Sequence, residues 1–193
     1  MPAENKIDEL LPHQITEKAD NIAYSKATKA FLSAFYLAIT AGMFISLAFV
    51  FYITVTTGTE NVAWGIQKLV GGLAFSMGLL LVVVVGGELF TSSTLTLIAK
   101  ASRRITTGQM LKNWTVVYFG NFVGATFLVF LIFLSGLYLS DHGQWGLNAL
   151  LTAQHKLHHT YVQAIALGML CNIMVCLAIW MAFGARTITD KML

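Results

Sequence analysis

Residues 81–100, LVVVVGGELFTSSTLTLIAK, interrupt a long apolar segment with two glycines, a glutamate and a run of hydroxyl side chains. Gly86 and Gly87 weaken a helix, and Glu88 places a carboxylate among apolar neighbours. An ionisable side chain in the hydrocarbon layer costs roughly 2.5–3.5 kcal/mol on insertion scales. The stretch therefore predicts a helix that breaks inside the membrane for a structural or functional reason.

Composition points to a membrane protein. The 193 residues are 56% hydrophobic and 11% charged, and their mean hydropathy is +0.71. These values exclude an ordinary soluble domain. The net charge of +3 is small and its basic residues are scattered, which argues against a nucleic-acid partner. Cys171 and Cys176 lie five residues apart in an apolar run, so we interpret them as packing residues rather than as a disulfide or metal site.

Four apolar segments are long enough to cross a bilayer as helices. They are residues 31–55, 69–99, 116–139 and 161–183. Lysine and arginine alternate between the segment ends, with ten on the side of the N-terminus and only Lys68 and Lys156 on the other. Because basic residues accumulate on the cytoplasmic side, this count predicts four crossings and a cytoplasmic N-terminus.

The first 30 residues lack the continuous apolar core of a signal peptide. Leu11, Ile15, Ala19 and Ile22 recur at helical spacing and predict an amphipathic helix, lying on the membrane surface or against the protein. Pro12 suits the first turn of that helix. We therefore divide the chain into an N-terminal amphipathic helix, residues 1–30, and a transmembrane channel domain, residues 31–193.

The second segment is 31 residues long, and we expect it to form two half-helices joined by non-helical backbone at about residues 87–92. Ser92 and Ser93 are good candidates to cap the second half. Non-helical backbone at this depth survives only when buried in protein or lining a watery cavity, and broken helices hold the solute site in many transporters.

Three features of the spans each allow two interpretations. The Glu88 carboxylate either accepts hydrogen bonds from freed backbone N–H groups and anchors the loop, which we favour, or handles protons or cations. Phe75 and Leu79, one helical turn apart, either pack or form an apolar constriction. Asn121 and Asn172 are either structural struts or pore groups. Thr91 is a better pore candidate than Glu88, because a hydroxyl donates to an anion without a charge penalty.

The segments KLVGGLAFSMGLLLVVVVGGELFTSSTLTLIAKASRRIT, NWTVVYFGNFVGA, GQWGLNALL and HKLHHT closely resemble the formate/nitrite transporter family, and within it the bacterial formate channels. The resemblance implies a homopentamer in the bacterial inner membrane, in which each protomer is an all-α, aquaporin-like helical bundle. It also implies a three-span repeat followed by an inverted second copy, whose start this chain contains.

The resemblance also implies site residues, carried over to matching positions. The broken-helix loop falls on Leu89, Phe90 and Thr91, and the apolar constriction on Phe75 and Leu79. The lysine of the outer vestibule falls on Lys156. The fourth-span pore positions fall on Asn172 and Val175. No cofactor, metal ion or catalytic residue is implied.

The family pattern continues beyond the residues seen here. Its members have six spans and a second broken helix with a pore histidine, whereas no histidine of this chain lies in a spanning segment. Residues 38–43, AITAGM, and 164–169, AIALGM, match at four of six positions, which weakly supports a repeat. We therefore expect the chain to be truncated before the second broken helix, and not to conduct formate by itself.

The leading functional hypothesis is a channel for formate and similar small monovalent anions such as nitrite, either passive or linked to protons. One alternative is a neutral-solute, aquaporin-like pore. Another is a cation or metal carrier that uses Glu88 and the histidines of the 155–159 loop, His155, His158 and His159. An intramembrane serine hydrolase is disfavoured because Ser92 and Ser93 have no histidine base in any span.

Overall fold

The computed structural model describes residues 10–192, and every regular element in that range is a helix. Leu193 and the first nine residues, which include Lys6 of the charge count and part of the proposed 1–30 segment, lie outside the described residues. The elements in chain order are α1 (Pro12–Thr28), α2 (Phe31–Thr56), α3 (Trp64–Leu81) with a π turn (Val82–Gly86), α4 (Phe90–Ser93), α5 (Thr96–Ala101), α6 (Thr107–Ser135) with a 3-10 turn (Leu137–Leu139), α7 (Gln144–Leu157), α8 (Tyr161–Gly184) and α9 (Ile188–Met192).

Four of these helices are long and apolar enough to cross a membrane, as predicted. They are Phe31–Thr56, Trp64–Gly86, Thr107–Ser135 and Tyr161–Gly184. The third begins well before residue 116, where the apolar run starts. Its polar first turns are helical because Thr106 and Gln109 form a capping box at its N-terminus. Hydropathy marks where a helix is apolar, and the cap marks where it begins.

Close packing of α2 against α6 forms the centre of the fold. A Cβ atom added at Gly124 would overlap the carbonyl oxygen of Ile39, and one at Gly120 would lie against the side chain of Ala38. Glycine at both positions lets the two backbones approach, as expected for small residues four apart on a membrane helix. This contact sets the position of α6, which supports the break in the second span.

The amphipathic helix α1 packs against the protein, which decides between the two predicted locations. Ala19 and Ala23 are buried on its inner face. Ala23 belongs to a small apolar cluster with Ala99, Ile105 and Met110, so α1 packs against the part of the chain that follows the break in the second span. Pro12 is the first residue of α1, as expected.

Candidate pore site at the interrupted helix

The second span breaks at residues 87–89. The π turn closes with the Gly87 N–H donating to the Val82 carbonyl at 3.0 Å. Gly86 has φ +96°, a backbone conformation that a side chain would strain, so glycine is required at this turn. The Glu88 N–H then leaves the helix and donates to the Leu37 carbonyl of α2 at 3.0 Å. The break is therefore a defined structure with paired backbone groups, as non-helical backbone at membrane depth requires.

Asn121 of α6 satisfies the backbone on both sides of the break. Its Nδ2 donates to the Glu88 carbonyl and to the Ala38 carbonyl, each at 2.8 Å. Its Oδ1 accepts from the Phe90 N–H at 2.9 Å. Asn121 therefore acts as a structural strut, the first of the two interpretations left open by the sequence.

The expected cap at Ser92 or Ser93 was wrong. The second half-helix begins at Phe90 and both serines lie inside α4. The Ser92 hydroxyl donates backwards to the Leu89 carbonyl at 2.9 Å. A local cap is unnecessary because Asn121, 31 residues away from Phe90, accepts from the first N–H of α4.

The Glu88 carboxylate is 3% exposed and lies between two lysines of the α1 segment. Its Oε2 is 2.5 Å from the Lys26 Nζ and its Oε1 is 2.6 Å from the Lys29 Nζ. The predicted partners, freed backbone N–H groups, were wrong, because the Glu88, Phe90 and Gly87 amides all bond elsewhere. Glu88 joins the broken helix to α1 through an ion-paired cluster with two cations and one anion.

A cavity of about 300 Å³ lies beside this cluster and is also lined by Gly86 and Gly87 at the break. Its charged lining is cationic, with four lysines against one carboxylate. These side chains are Lys18, Lys26, Lys29, Lys191 and Glu88. The Lys18 Nζ donates to the Phe183 carbonyl at the end of α8, at 2.7 Å. The charge of this cavity favours anions over cations.

Thr91 faces α8, the span that carries Asn172 and Val175. The Cys176 Sγ lies 3.6 Å from the Thr91 carbonyl and 3.4 Å from the Thr94 hydroxyl. The Thr91 Oγ1 and the Asn172 Oδ1 are buried and have no hydrogen-bond partner among the described residues. Buried polar atoms are normally paired, so each of these oxygens is available to another part of the assembly, to water or to a solute.

The carried-over residues fall into separate groups. Phe75 and Leu79 share one face of α3, and Phe75 lines a second cavity of about 490 Å³ together with Lys156. Leu89 is half-buried next to Thr91. The ring of Phe90 packs edge-to-face against two aromatic rings of α6, those of Trp114 and Tyr118.

Lys26 and Lys29 are the site residues that sequence reasoning missed, because they were considered only as topology charges. Lys26 lies in the last turn of α1, and Lys29 is the extended residue that follows the helix. A buried carboxylate requires a cation partner, so a search for paired lysines near a span end could have found them.

The histidines at 155–159 begin in the last turn of α7 rather than in a loop, and they do not form a metal site with other ligands among the described residues. His155 and His159 have ring centroids 5.2 Å apart. Across residues 10–192 no group of three histidine, cysteine, aspartate or glutamate side chains is placed to hold a metal ion. Glu88 is already paired with two lysines, so the cation or metal carrier is not supported.

The family model and the similar proteins point to the same family. The family model described as "Formate/nitrite transporter" matches residues 13–193. The chain is 57% identical to the formate channel FocA of Escherichia coli strain K12 over 191 residues, covering 99% of this chain and 67% of that protein. It is 54% identical to FocA of Haemophilus influenzae, covering 94% of this chain and 64% of that protein.

The fold has a similar match among solved structures. A pentameric formate channel with formate bound aligns with TM-score 0.80 and 57% identity, covering 83% of this chain and 63% of that chain. An FNT family ion channel aligns with TM-score 0.77 and 28% identity, covering 93% of this chain and 70% of that chain.

The chain thus spans about two thirds of the length of the relatives it matches. The all-α membrane fold with an interrupted second span is confirmed, as is the resemblance inferred from its motifs. On these grounds the chain belongs to the formate/nitrite transporter family.

Proposed function

We propose that this chain is part of a channel that moves formate, and other small monovalent anions such as nitrite, across the bacterial inner membrane. The observation that carries this proposal is the 57% identity to a formate channel over 99% of the chain. The relative solved with formate bound is a pentamer, and we propose the same homopentameric assembly here. No residue is assigned a catalytic role, and no cofactor is required.

The charge distribution supports a cytoplasmic N-terminus. The cationic cavity between α1 and the break then opens to the cytoplasm, and Lys156 faces the outside. Each mouth carries positive charge that raises the local concentration of anions. Residues 1–30 form the cytoplasmic segment and residues 31–193 the membrane part of the channel.

Between the two mouths the path narrows at Phe75 and Leu79, and passes the break at Leu89, Phe90 and Thr91 opposite Asn172 and Val175. The buried, unpartnered Thr91 hydroxyl supports this route because it can donate to a carboxylate oxygen. The Asn172 Oδ1 can accept only from a donor, such as the O–H of the neutral acid. Moving a charge through an apolar constriction is costly, so passage as the neutral acid at Phe75 and Leu79 is favoured.

Swelling of proteoliposomes tests this function against its alternatives. Vesicles holding the full-length channel, together with the potassium ionophore valinomycin so that a cation can follow the anion, are diluted into iso-osmotic potassium formate, potassium nitrite, glycerol or a zinc salt. We expect rapid swelling in formate, slower swelling in nitrite and none above empty vesicles in glycerol or zinc. Leu79→Ala should raise the formate rate by widening the constriction. Swelling in glycerol that equals swelling in formate would instead identify a neutral-solute pore.

A further inference from the structure

Helix α7 crosses the outer end of α2 and is fixed there by polar contacts. The Trp145 indole N–H donates to the Thr54 hydroxyl at 3.0 Å. The Asn148 Nδ2 donates to the Thr56 hydroxyl at 3.0 Å and to the Ile53 carbonyl at 3.2 Å. These contacts fix the first turns of α7, so the position of its last turn is defined.

Lys156 lies in that last turn. It is eleven residues from Trp145, about three helical turns, so the two side chains project from the same face. Both line the cavity of about 490 Å³ that Phe75 also lines. The backbone of α7 therefore places Lys156 at the cavity. The flexible four-carbon stem of the lysine still leaves its ammonium free to move unless another group holds it.

Phe49 of α2 also lines this cavity, and it contacts both Lys156 and Phe75. The Lys156 Nζ lies 5.2 Å from the centroid of the Phe49 ring, within the range of a cation–π contact. The same ring packs edge-to-face against Phe75, with centroids 6.4 Å apart and planes at 90°. Tyr52 stacks on Phe49 at 5.6 Å, which limits the movement of the ring.

An aromatic partner and a carboxylate have different effects on a lysine. The single negative charge of Glu88 offsets one of the two positive charges of Lys26 and Lys29, to which it is ion-paired. A ring holds an ammonium through its quadrupole and carries no net charge, so the positive charge of Lys156 stays available to an anion. The half-buried position of Phe49 suits this task, because one face packs while the other meets the cation.

We propose that Phe49 is a positioning residue of the outer mouth: its ring holds the Lys156 ammonium over the cavity, next to Phe75, without neutralising it. This inference rests on the proposed anion-channel function. Phe49 acts through Lys156 and need not touch the anion. It sets how efficiently the outer mouth collects formate rather than how fast an ion crosses the constriction.

The test is formate influx into proteoliposomes that hold the full-length channel as wild type, Phe49→Leu or Phe49→Trp. At low salt we expect Phe49→Leu to raise the half-saturating formate concentration about two- to fivefold, the fold-change that a partly exposed cation–π contact corresponds to. The maximal rate should change little, and Phe49→Trp should restore the wild-type value. In about 1 M inert salt the difference should vanish, because screening shortens the reach of Lys156 to about 3 Å.

A double-mutant comparison tests whether Phe49 changes the half-saturating formate concentration through Lys156. Lys156→Gln should raise the half-saturating concentration at least as much as Phe49→Leu, and Phe49→Leu should then add nothing. Lys68→Gln removes a cation from the same side but outside the cavity lining, and Phe122→Leu removes an exposed ring of α6, so both should resemble wild type. A lower maximal rate with unchanged half-saturation, or effects that multiply with Lys156→Gln, would overturn the proposal.

A second readout does not depend on transport. Acylation of Lys156 by a small amine reagent, followed by mass spectrometry, should be faster in Phe49→Leu than in wild type, with exposed Lys112 as the internal reference. Absence of formate influx in wild type would contradict the channel function while leaving this contact testable. Equal acylation in both proteins would contradict the role of Phe49 itself.

Discussion

Glu88 shows how one buried charge is accommodated in an apolar chain. Its carboxylate is enclosed, and two ammonium groups approach it from α1. Lys26 and Lys29 are themselves only 14% and 27% exposed, so each depends on Glu88 for its counter-charge. The cluster therefore couples the position of the N-terminal helix to the break in the second span.

Glu88→Gln should loosen α1, although the amide can still accept a hydrogen bond. The change leaves two partly buried ammoniums without an anion, a loss of about 1–3 kcal/mol for a buried group deprived of its partner. We expect faster tryptic cleavage after Lys26 and Lys29 in proteoliposomes. Glu17→Gln, an exposed change on α1, is the control and should leave cleavage unchanged. Wild-type cleavage rates in Glu88→Gln would contradict the ion-paired anchor.

At the scale of elements, the sequence predicted the interrupted helix but not what holds it. Gly86 and Gly87 marked the break because their effect is local. The caps were not predictable, since Asn121 reaches Phe90 from another helix and Lys26 reaches Glu88 across 62 residues. Local signals fix where a helix weakens, whereas tertiary contacts decide which groups satisfy the freed backbone.

The α2–α6 contact gives a test at the same scale. Gly124→Ala places a methyl group against the Ile39 backbone, which cannot move aside as a side chain can, so we expect a loss of about 1–3 kcal/mol. Gly108→Ala on the same helix meets nothing closer than 3.8 Å and should be neutral or slightly stabilising. The measurement is the temperature at which each detergent-solubilised variant loses its assembled peak in size-exclusion chromatography. Equal temperatures would show that the close approach is not needed.

For the whole molecule, ion pairs among the described residues join α1 and Lys29 to the rest of the chain at two places. One is the Glu88 cluster. The other is at Asp20 of α1. The Arg104 guanidinium donates to the Asp20 carboxylate at 2.6 Å, and it also lies 4.6 Å from the centroid of the Tyr24 ring. The Ser102 hydroxyl also donates to Asp20, at 2.7 Å. Docking of the N-terminal helix therefore combines these ion pairs with the apolar cluster around Ala23.

Acid should weaken this second contact. The Arg104 hydrogen bond holds the pKa of Asp20 below its usual value, so the carboxylate contributes to docking above pH 4 and loses that contribution as pH falls through the lowered pKa. Because Asp20 stays ionised there, we expect the contribution of this pair to protease protection of α1 to be constant from about pH 5 to 8 and to decline below about pH 4. Asp20→Asn should lower protection at neutral pH and reduce the acid-induced change. If protection of Asp20→Asn declined in acid as much as that of wild type, the decline would have to come from other titratable groups.

We propose that the interrupted helix presents the Thr91 hydroxyl, which is buried without a partner among the described residues, to a permeating anion. The most direct measurement is formate flux through Thr91→Val, which keeps the shape and removes the hydroxyl, beside Thr91→Ser, which keeps the hydroxyl. Loss of a hydrogen bond to a charged group, about 1.5–3 kcal/mol, predicts a roughly ten- to hundredfold slower flux in Thr91→Val and near wild-type flux in Thr91→Ser. Thr126→Val makes the same substitution on α6, where the hydroxyl donates to the Phe122 carbonyl at 2.8 Å, and should transport normally. Wild-type formate flux in an assembled Thr91→Val protein would contradict the claim.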